Sequence, residues 1–210
     1  IADRAGNPAS AATHFTLDTV LPTISRLAPA DGGFLNARRP AISADFADDR
    51  SGVDPASIHL TLDGQDVTAQ AAITAGHIAF TPSADLGEGL HQVVLSPRDR
   101  AGNSATAQAA WTLDFARPTI SVVEPADGSI STSATPLMAI IYSDALSGLD
   151  PGSLVILLDG RDVTAKFTKT EGGASFSPGN MDALADGQHV LQARILDKAG
   201  NEGVASSAFS

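Results

Sequence analysis

The feature that most constrains this chain is a repeat within its own sequence. The five residues 99–103 return with one change as 197–201, 98 residues later, and a further copy begins at Asp3, 96 residues earlier. A longer segment, 51–69, resembles 147–165 at a spacing of 96 residues. A fixed period of this length is typical of an array of small domains. We therefore expect several copies of one unit instead of a single large domain.

The phase of the repeat predicts where each unit begins and ends. The segment 17–25, which leads into the first copy, returns as 113–121 ahead of the second. We expect one domain at 19–115 and another at 116–210, with residues 1–18 as the last strand of a preceding repeat. On this interpretation the chain is a segment of a longer array.

Short apolar alternations separated by turn signals predict an all-β fold. Ile58, Leu60 and Leu62 alternate with polar residues, and Asp63-Gly64 then supplies the residues of a tight hairpin. About seven such runs in a unit of this size indicate an immunoglobulin-type sandwich. We therefore predict two tandem immunoglobulin-like (Greek-key) β-sandwich domains, preceded by the leading strand. The runs of the first unit are 23–27, 41–46, 58–62, 66–68, 77–81, 91–97 and 105–113.

Charge and residue usage exclude several kinds of protein. The chain has 24 acidic residues against 13 Lys and Arg, a net charge of −11, so it would repel a polyanion such as nucleic acid. It contains no Cys, which excludes disulfides and thiolate metal sites. Its longest apolar stretch, 136–142, is far shorter than the roughly 20 residues of a membrane-spanning helix. We expect a monomer that neither binds nucleic acid nor inserts into a membrane.

The sequence shows no catalytic arrangement, and we expect no enzyme. The Ser and Thr residues lack a His and an Asp that recur around them, and no glycine loop leads from a strand into a helix. Only His91 and His189 occupy matching positions, where we expect them to open a strand and not to bind zinc or act in catalysis. Trp111, Phe15 and Phe209 share one register, which favours core positions over a carbohydrate-stacking surface.

Four motifs recur in a fixed order, which in the second unit are 113–114 with 118–121, 147–151, 158–160 and 197–201. Together they resemble the bacterial Ig-like repeats that occur in tandem in large surface adhesins, Rhs-type proteins and multidomain secreted enzymes. The resemblance covers both units and the leading segment. It implies an extracellular or cell-surface, non-catalytic building block whose partners are neighbouring Ig-like repeats of the same chain.

Asp residues recur at the ends of the predicted strands, and the connectivity of a sandwich indicates which of them meet. The entering linker, the loop after the second strand and the last hairpin share one pole. Calcium takes about six to eight oxygen ligands, so three carboxylates at this pole form a candidate calcium site. The resemblance adds that some adhesin relatives stiffen their arrays with calcium. The alternative is that each Asp only supports its own turn. The candidate ligands are Asp18, Asp48 and Asp99 in the first unit and Asp114, Asp144 and Asp197 in the second, with Asp49, Asp54 and Asp150 as outer candidates.

These observations favour a spacer or stalk module of a bacterial cell-surface or secreted protein, with calcium as its candidate cofactor. Pro118, four residues after Asp114, restricts the linker and predicts a semi-rigid rod. One alternative is an adhesive or carbohydrate-binding module with a host-surface or glycan ligand, for which Phe34, Phe115 and Tyr142 are the aromatic candidates. A second alternative is an accessory domain of a secreted hydrolase.

Overall fold

The computed structural model describes residues 1, 4–8 and 10–210, and Asp3, where the first copy of the five-residue motif begins, lies outside the described residues. The described residues form two β-sandwiches, each with two sheets and its own buried cluster. We call the sandwich of residues 23–113 unit one and the sandwich of residues 119–209 unit two. The predicted all-β fold of two tandem sandwiches is confirmed.

Within the described residues, unit one contains nine strands and two single 3-10 turns, Pro55–Ser57 and Thr68–Gln70. The strands are β1 (Thr23–Ala28), β2 (Gly33–Leu35), β3 (Ile42–Ala47), β4 (His59–Leu62), β5 (Gln65–Asp66), β6 (Ala72–Ile73), β7 (His77–Phe80), β8 (Gly89–Ser96) and β9 (Ala107–Leu113). One sheet has the order β1-β3-β7-β6 and the other β2-β9-β8-β4-β5. The chain therefore crosses repeatedly between the two sheets.

Unit two has the same strand order, except that no regular strand matches β2 in the described residues. Its strands are β10 (Thr119–Glu124), β11 (Met138–Ser143), β12 (Leu149–Leu158), β13 (Arg161–Asp162), β14 (Thr168–Thr170), β15 (Gly173–Phe176), β16 (His189–Asp197) and β17 (Glu202–Phe209). The sheets are β10-β11-β15-β14 and β13-β12-β16-β17. Its 3-10 turns are Thr164–Lys166 and Asn180–Asp182. Among the described residues, no helix has the length and apolar character needed to cross a membrane.

The strand β2 shows how each unit fastens its first segment to its last strand. After β1 has paired with β3, the chain crosses to the other sheet, where β2 runs parallel to β9 and Gly33 lies opposite Trp111. The three residues of β2, after the Asp31-Gly32 turn, are too few to show an alternation in the sequence, so this strand was not predicted. In unit two the equivalent contact is a hydrogen bond from the N–H of Gly128 to Ala208 O at 2.7 Å.

Alternating side chains close a separate core in each unit. Leu60, Leu95 and Trp111 of unit one are at most 1% exposed. In unit two Leu191 is fully buried, and Phe209, at the position equivalent to Trp111, is 3% exposed. Successive side chains of a strand point to opposite faces, so this period-2 pattern places the apolar residues between the sheets. Trp111 and Phe209 are therefore core residues, as predicted.

The described residues before Thr23 form no extended strand. Phe15, which shares the register of Trp111 and Phe209, is 87% exposed, and Leu17 is 72% exposed. The expected core position is wrong for Phe15 in this chain, because the described residues include no third sandwich that could enclose it. The assignment of residues 1–18 to a preceding repeat stays a prediction.

Candidate metal centre

Three Asp side chains meet at one pole of each sandwich. In each set, one carboxylate oxygen from every Asp lies within 4.8 Å of the other two. The structure thus brings together all six predicted residues in the two predicted groups, and their role as metal ligands stays a prediction. We call these sets triad one (Asp18, Asp48 and Asp99) and triad two (Asp114, Asp144 and Asp197).

Each triad combines a linker residue with two loops of the unit that follows. Asp114 directly follows β9 of unit one, whereas Asp144 directly follows β11 and Asp197 ends β16 of unit two. The first residue of β10, Thr119, lies opposite Ser143 at the end of β11, so β11 ends at the pole where the linker enters. Because β11 and β16 belong to opposite sheets, the triad spans the pole of the sandwich.

The middle Asp of each triad holds its own loop. Asp144 Oδ1 accepts hydrogen bonds from the N–H groups of Leu146 at 3.1 Å and Gly148 at 2.6 Å. Asp48 makes the equivalent pair of bonds in unit one, at 3.1 and 2.7 Å. Gly148 has a φ of +77°, in the left-handed region that glycine adopts without a steric penalty. The loop therefore fixes the direction of the Asp144 carboxylate.

An Asn side chain ties the last hairpin of each unit to the linker. Asn201 Nδ2 donates to Asp197 Oδ2 at 2.7 Å and to the backbone O of Asp114 at 2.9 Å. Asn103 makes the equivalent bonds in unit one, at 2.6 and 3.2 Å. This role of the Asn was not predicted, although an Asn closes every copy of the five-residue motif in the sequence. The motif therefore positions two members of each triad relative to each other.

The linker Asp bonds both to its own segment and to the following loop. Asp114 Oδ1 accepts from the N–H of Ala116 at 3.0 Å, and Oδ2 accepts from the N–H of Ser147 at 2.9 Å. Asp18 makes the same two kinds of bond in unit one. Such bonds are expected under the alternative hypothesis, in which each Asp only supports its own turn. They still leave lone pairs available to a metal ion, because each carboxylate oxygen carries two lone pairs.

Burial concentrates negative charge at triad two. Asp114 is 0% and Asp197 is 2% exposed. Two unit charges 4.8 Å apart repel each other by about 3.5 kcal/mol at an effective dielectric constant of about 20. Among the described residues, no ion pair involves a carboxylate of either triad. This concentration of negative charge is what makes triad two a candidate cation site.

Hydrogen bonds favour the ionised form of two members of triad one, Asp18 and Asp99. The Ser51 side chain, followed by the N–H of Val20, lowers the pKa of the Asp18 carboxyl below its usual value. Burial raises the pKa of Asp99, but hydrogen bonds from the Asn103 side chain and backbone outweigh burial, so the pKa is lowered overall. Both groups are therefore carboxylates at neutral pH, the form that binds a metal ion.

Two buried oxygen atoms at these poles, Asp48 Oδ2 and Ser147 Oγ, have no hydrogen-bond partner among the described residues. Ser147 is 1% exposed, and its own N–H bonds to Asp114, so its hydroxyl lies beside triad two. An unpaired buried polar atom costs about 1–3 kcal/mol. A ligand at the triad would supply the missing partner.

The outer Asp candidates have structural roles or lie outside the triads. Asp54 Oδ1 accepts from the N–H of Ala56 at the start of a 3-10 turn, and Asp150 Oδ1 accepts from the N–H of Gly152. Asp49 is exposed and belongs to neither triad. Support of a local turn is sufficient to explain Asp54 and Asp150 without a metal ion.

The three aromatic candidates do not form an open platform. Tyr142 is 5% exposed, and its hydroxyl donates to Gly173 O at 2.7 Å. The Arg38 guanidinium lies 4.1 Å from the ring centroid of Phe115. The ammonium of Lys198 in unit two lies 5.6 Å from the ring centroid of Phe34 in unit one. Phe34 and Phe115 thus contribute to the region between the two units.

A family comparison identifies unit one. Residues 33–115 match the family model described as bacterial Ig-like domain. Unit one is therefore similar to bacterial Ig-like domains. The bacterial Ig-like resemblance is confirmed there, and unit two repeats the domain in sequence and strand order. No curated protein sequence matches the chain.

Solved structures share the fold of this chain at low sequence identity. An I-band fragment from titin is 13% identical over 90% of this chain and 65% of that one, with a TM-score of 0.55. Sidekick-1 immunoglobulin domains 1–5 are 14% identical over 90% of this chain and 38% of that one, with a TM-score of 0.51. The fibronectin(III)-like modules of Clostridium thermocellum CbhA are 12% identical over 90% and 92%, with a TM-score of 0.45. The titin and Sidekick-1 similarities show the fold alone.

Proposed function

We propose that the chain is a non-catalytic spacer of a bacterial cell-surface or secreted repeat protein, in which calcium at the triads stiffens the joints between units. The composition of triad two carries the proposal. Asp114 belongs to the linker after unit one, whereas Asp144 and Asp197 belong to unit two. An ion bound by all three ties the linker to the pole of the following unit. Triad one has the same composition and would join unit one to a preceding repeat.

The donor set of triad two suits a hard cation. Calcium binds about six to eight oxygen atoms at about 2.3–2.6 Å in flexible geometry. Three carboxylates and the adjacent Ser147 hydroxyl supply most of these ligands, and water can complete the shell. Calcium would also reduce the repulsion among the carboxylates, which have no positively charged side chain as an ion-pair partner in the described part of the chain.

Contacts on both sides of the linker support a stiff joint. The N–H of Phe115 donates to Glu88 Oε1 of unit one at 3.1 Å, and the Arg38 guanidinium covers the Phe115 ring. On the other side, β17 comes so close to the linker that a Cβ at Gly203 would collide with Pro118 O. A short linker packed from both sides suits a spacer that keeps its length.

The adhesive and carbohydrate-binding alternatives receive less support from the structure. Tyr142 is in the core, and Phe34 and Phe115 each have a cation over the ring. The most exposed aromatic side chain of the described residues is Phe15, in the segment before unit one. A glycan array tests these alternatives, since specific glycan binding by the two-unit chain would favour them.

Calorimetry with and without calcium tests the proposal. We expect millimolar calcium to raise the melting temperature and EDTA to reverse the rise, with magnesium as the control ion because it binds poorly to large, flexible oxygen sites. Identical melting curves in calcium and EDTA would contradict the calcium role. Small-angle X-ray scattering in the same buffers tests the stiffening, and antibody labelling of intact cells tests the location.

A further inference from the structure

A histidine of unit one is held between two hydrogen-bond acceptors. His91, near the start of β8, places Nδ1 2.7 Å from Asp63 Oδ2 in the β4–β5 hairpin. Its Nε2 lies 3.0 Å from the backbone O of Gly87, in the loop before β8. Asp63 Oδ1 also accepts from the N–H of Gln92 at 2.8 Å, which fixes the carboxylate. The His91 side chain is 12% exposed, and that of Asp63 is 40% exposed.

The same arrangement occurs in unit two. His189 Nδ1 lies 2.7 Å from Asp159 Oδ2, and Nε2 lies 2.9 Å from Ala185 O. The N–H of Val190 donates to Asp159 Oδ1 at 2.9 Å. The His189 side chain is 13% exposed. Because the arrangement forms in both units from matching positions, it is a property of the repeat.

Both contacts of each ring are to groups that cannot donate a proton. A carboxylate and an amide carbonyl are acceptors only, whereas a neutral imidazole has a single N–H. Satisfying both contacts therefore requires the imidazolium form, with a proton on each nitrogen. In unit two, hydrogen bonding to Ala185 O and then to Asp159 raises the pKa of His189 above its usual value.

In unit one, the loop held by the histidine also holds the linker to unit two. Gly87, which accepts from His91, is followed by Glu88, whose Oε1 accepts from the N–H of Phe115 at 3.1 Å. Phe115 directly follows Asp114 of triad two and packs against the unit-one core. The residue that accepts from His91 Nε2 is therefore adjacent in sequence to the residue that bonds to the linker.

We propose that His91, Asp63 and Gly87 form a proton-dependent clasp that holds the linker against unit one. When the ring loses a proton, Asp63 retains the N–H at Nδ1, so the bond from Nε2 to Gly87 O is lost. The loop 85–88 then gains freedom, and Phe115 loses part of its support. The clasp deepens the proposed spacer function, on which it rests, because it makes the stiffness of the joint depend on pH as well as on calcium.

The charged groups around the clasp are consistent with an imidazolium. Asp63 is the charged group in contact with the ring, and Trp111 of β9, whose ring centroid lies 6.4 Å away, carries no charge. On the loop, Asp85 pairs with Arg39 at 2.7 Å, and Glu88 accepts from the linker. In unit two, Asp159 corresponds to Asp63, Asp186 corresponds to Glu88, and Arg161 stands where unit one has Gln65.

Distance measurements between the units test the clasp. The chain has no Cys, so Gln108→Cys and Ser206→Cys place spin labels at equivalent exposed positions of β9 and β17. In calcium, we expect a narrow distance distribution at about pH 6 that is lost at about pH 8.5. In His91→Phe we expect the broad distribution at both pH values. His189→Phe is the matched control and should keep the pH response, because its clasp lies at the far end of unit two.

Two further measurements keep the test decisive. If His91→Phe does not fold, Asp63→Asn replaces it, since an amide oxygen still accepts from Gln92 but no longer favours the imidazolium. Long-range proton–nitrogen spectra at about pH 6 should show a proton on both ring nitrogens of His91. A narrow distribution at both pH values, in the parent chain and in His91→Phe, overturns the clasp and leaves the stiff spacer standing. A broad distribution at both pH values contradicts the stiff spacer, and a single protonated ring nitrogen in the spectra then overturns the clasp separately.

Discussion

Replacing Asp144 with Asn is expected to stabilise unit two in the absence of calcium. The amide oxygen of Asn can still accept from the N–H groups of Leu146 and Gly148, but the charge is removed. Two of the three repulsive pairs in triad two then disappear, each worth up to about 3.5 kcal/mol between full charges at 4.8 Å. Solvent at the half-buried Asp144 screens part of this repulsion, and weaker hydrogen bonds to a neutral acceptor offset about 1–2 kcal/mol. We expect a net rise of about 1–3 kcal/mol in the free energy of unfolding.

Calcium is expected to remove this advantage. A ligand that binds only the folded state stabilises it by about 2.7 kcal/mol at a concentration 100-fold above its Kd. The parent chain has all three carboxylates of triad two and should gain this stability, whereas Asp144→Asn should gain less. In saturating calcium the parent chain is therefore expected to be at least as stable as the variant.

The chain contains suitable reporters for this measurement. It has one Trp and one Tyr, and Trp111 lies in the core of unit one whereas Tyr142 lies in the core of unit two. Urea unfolding followed by Tyr142 fluorescence therefore reports the changed unit, and Trp111 is an internal control. Asp162→Asn is the matched control, because Asp162 is exposed and accepts from the N–H of Thr164 at 2.8 Å without belonging to a triad.

Two results would refute the reasoning. If Asp144→Asn destabilises unit two in EDTA while Asp162→Asn has no effect, triad two contains no repulsion that the substitution relieves. If calcium stabilises Asp144→Asn as much as the parent chain, the ion does not use the Asp144 carboxylate.

Other predictions concern separate parts of the structure. Leu191→Ala is expected to cost unit two about 2–5 kcal/mol, and a shift of the Trp111-detected transition would contradict independent cores. Gly148→Ala places a side chain at a φ of +77° and is expected to destabilise unit two by about 1 kcal/mol in urea unfolding and to weaken its stabilisation by calcium. The raised pKa of His189 contributes stability that is fully present below about pH 6.5 and is lost as the pH rises through the folded-state value, so unit two should unfold at lower urea concentration above neutral pH. His189→Phe should remove that slope.

Local sequence carries most of the fold, because strand alternation and turn chemistry are local properties. The run predicted at 58–62 is observed as β4, one residue shorter, and Asp63 adopts a φ of +50° in the hairpin that follows. The strands β2 and β6 were not predicted, since segments of three and two residues become strands only through their neighbours in space. Phe15 shows the converse case, in which the local register is that of a core strand but the described residues provide no core around it.

The triads could be located from the sequence because sandwich connectivity fixes which loops share a pole. The contacts that orient them could not, since nothing local indicates that Asn201 reaches the backbone O of Asp114. The histidine clasp had a signal that was not used: His91 and Asp63 both recur at matching positions in unit two. These two residues are 28 positions apart, and only the pairing of β4 with β8 brings them together.

The joint between the units combines two devices with opposite proton requirements. Calcium binding needs ionised carboxylates. The clasp needs an imidazolium at His91 and opens as the pH rises. A joint with both calcium and a closed clasp should be stiffest at mildly acidic pH. At higher pH, where the clasp is open, the stiffness should depend on calcium alone. Because triad two joins the linker to unit two and the clasp holds it against unit one, combining Asp144→Asn with His91→Phe should broaden the distance distribution beyond either single variant. Equal broadening in the double variant and one single variant would mean that the two devices act through one shared contact.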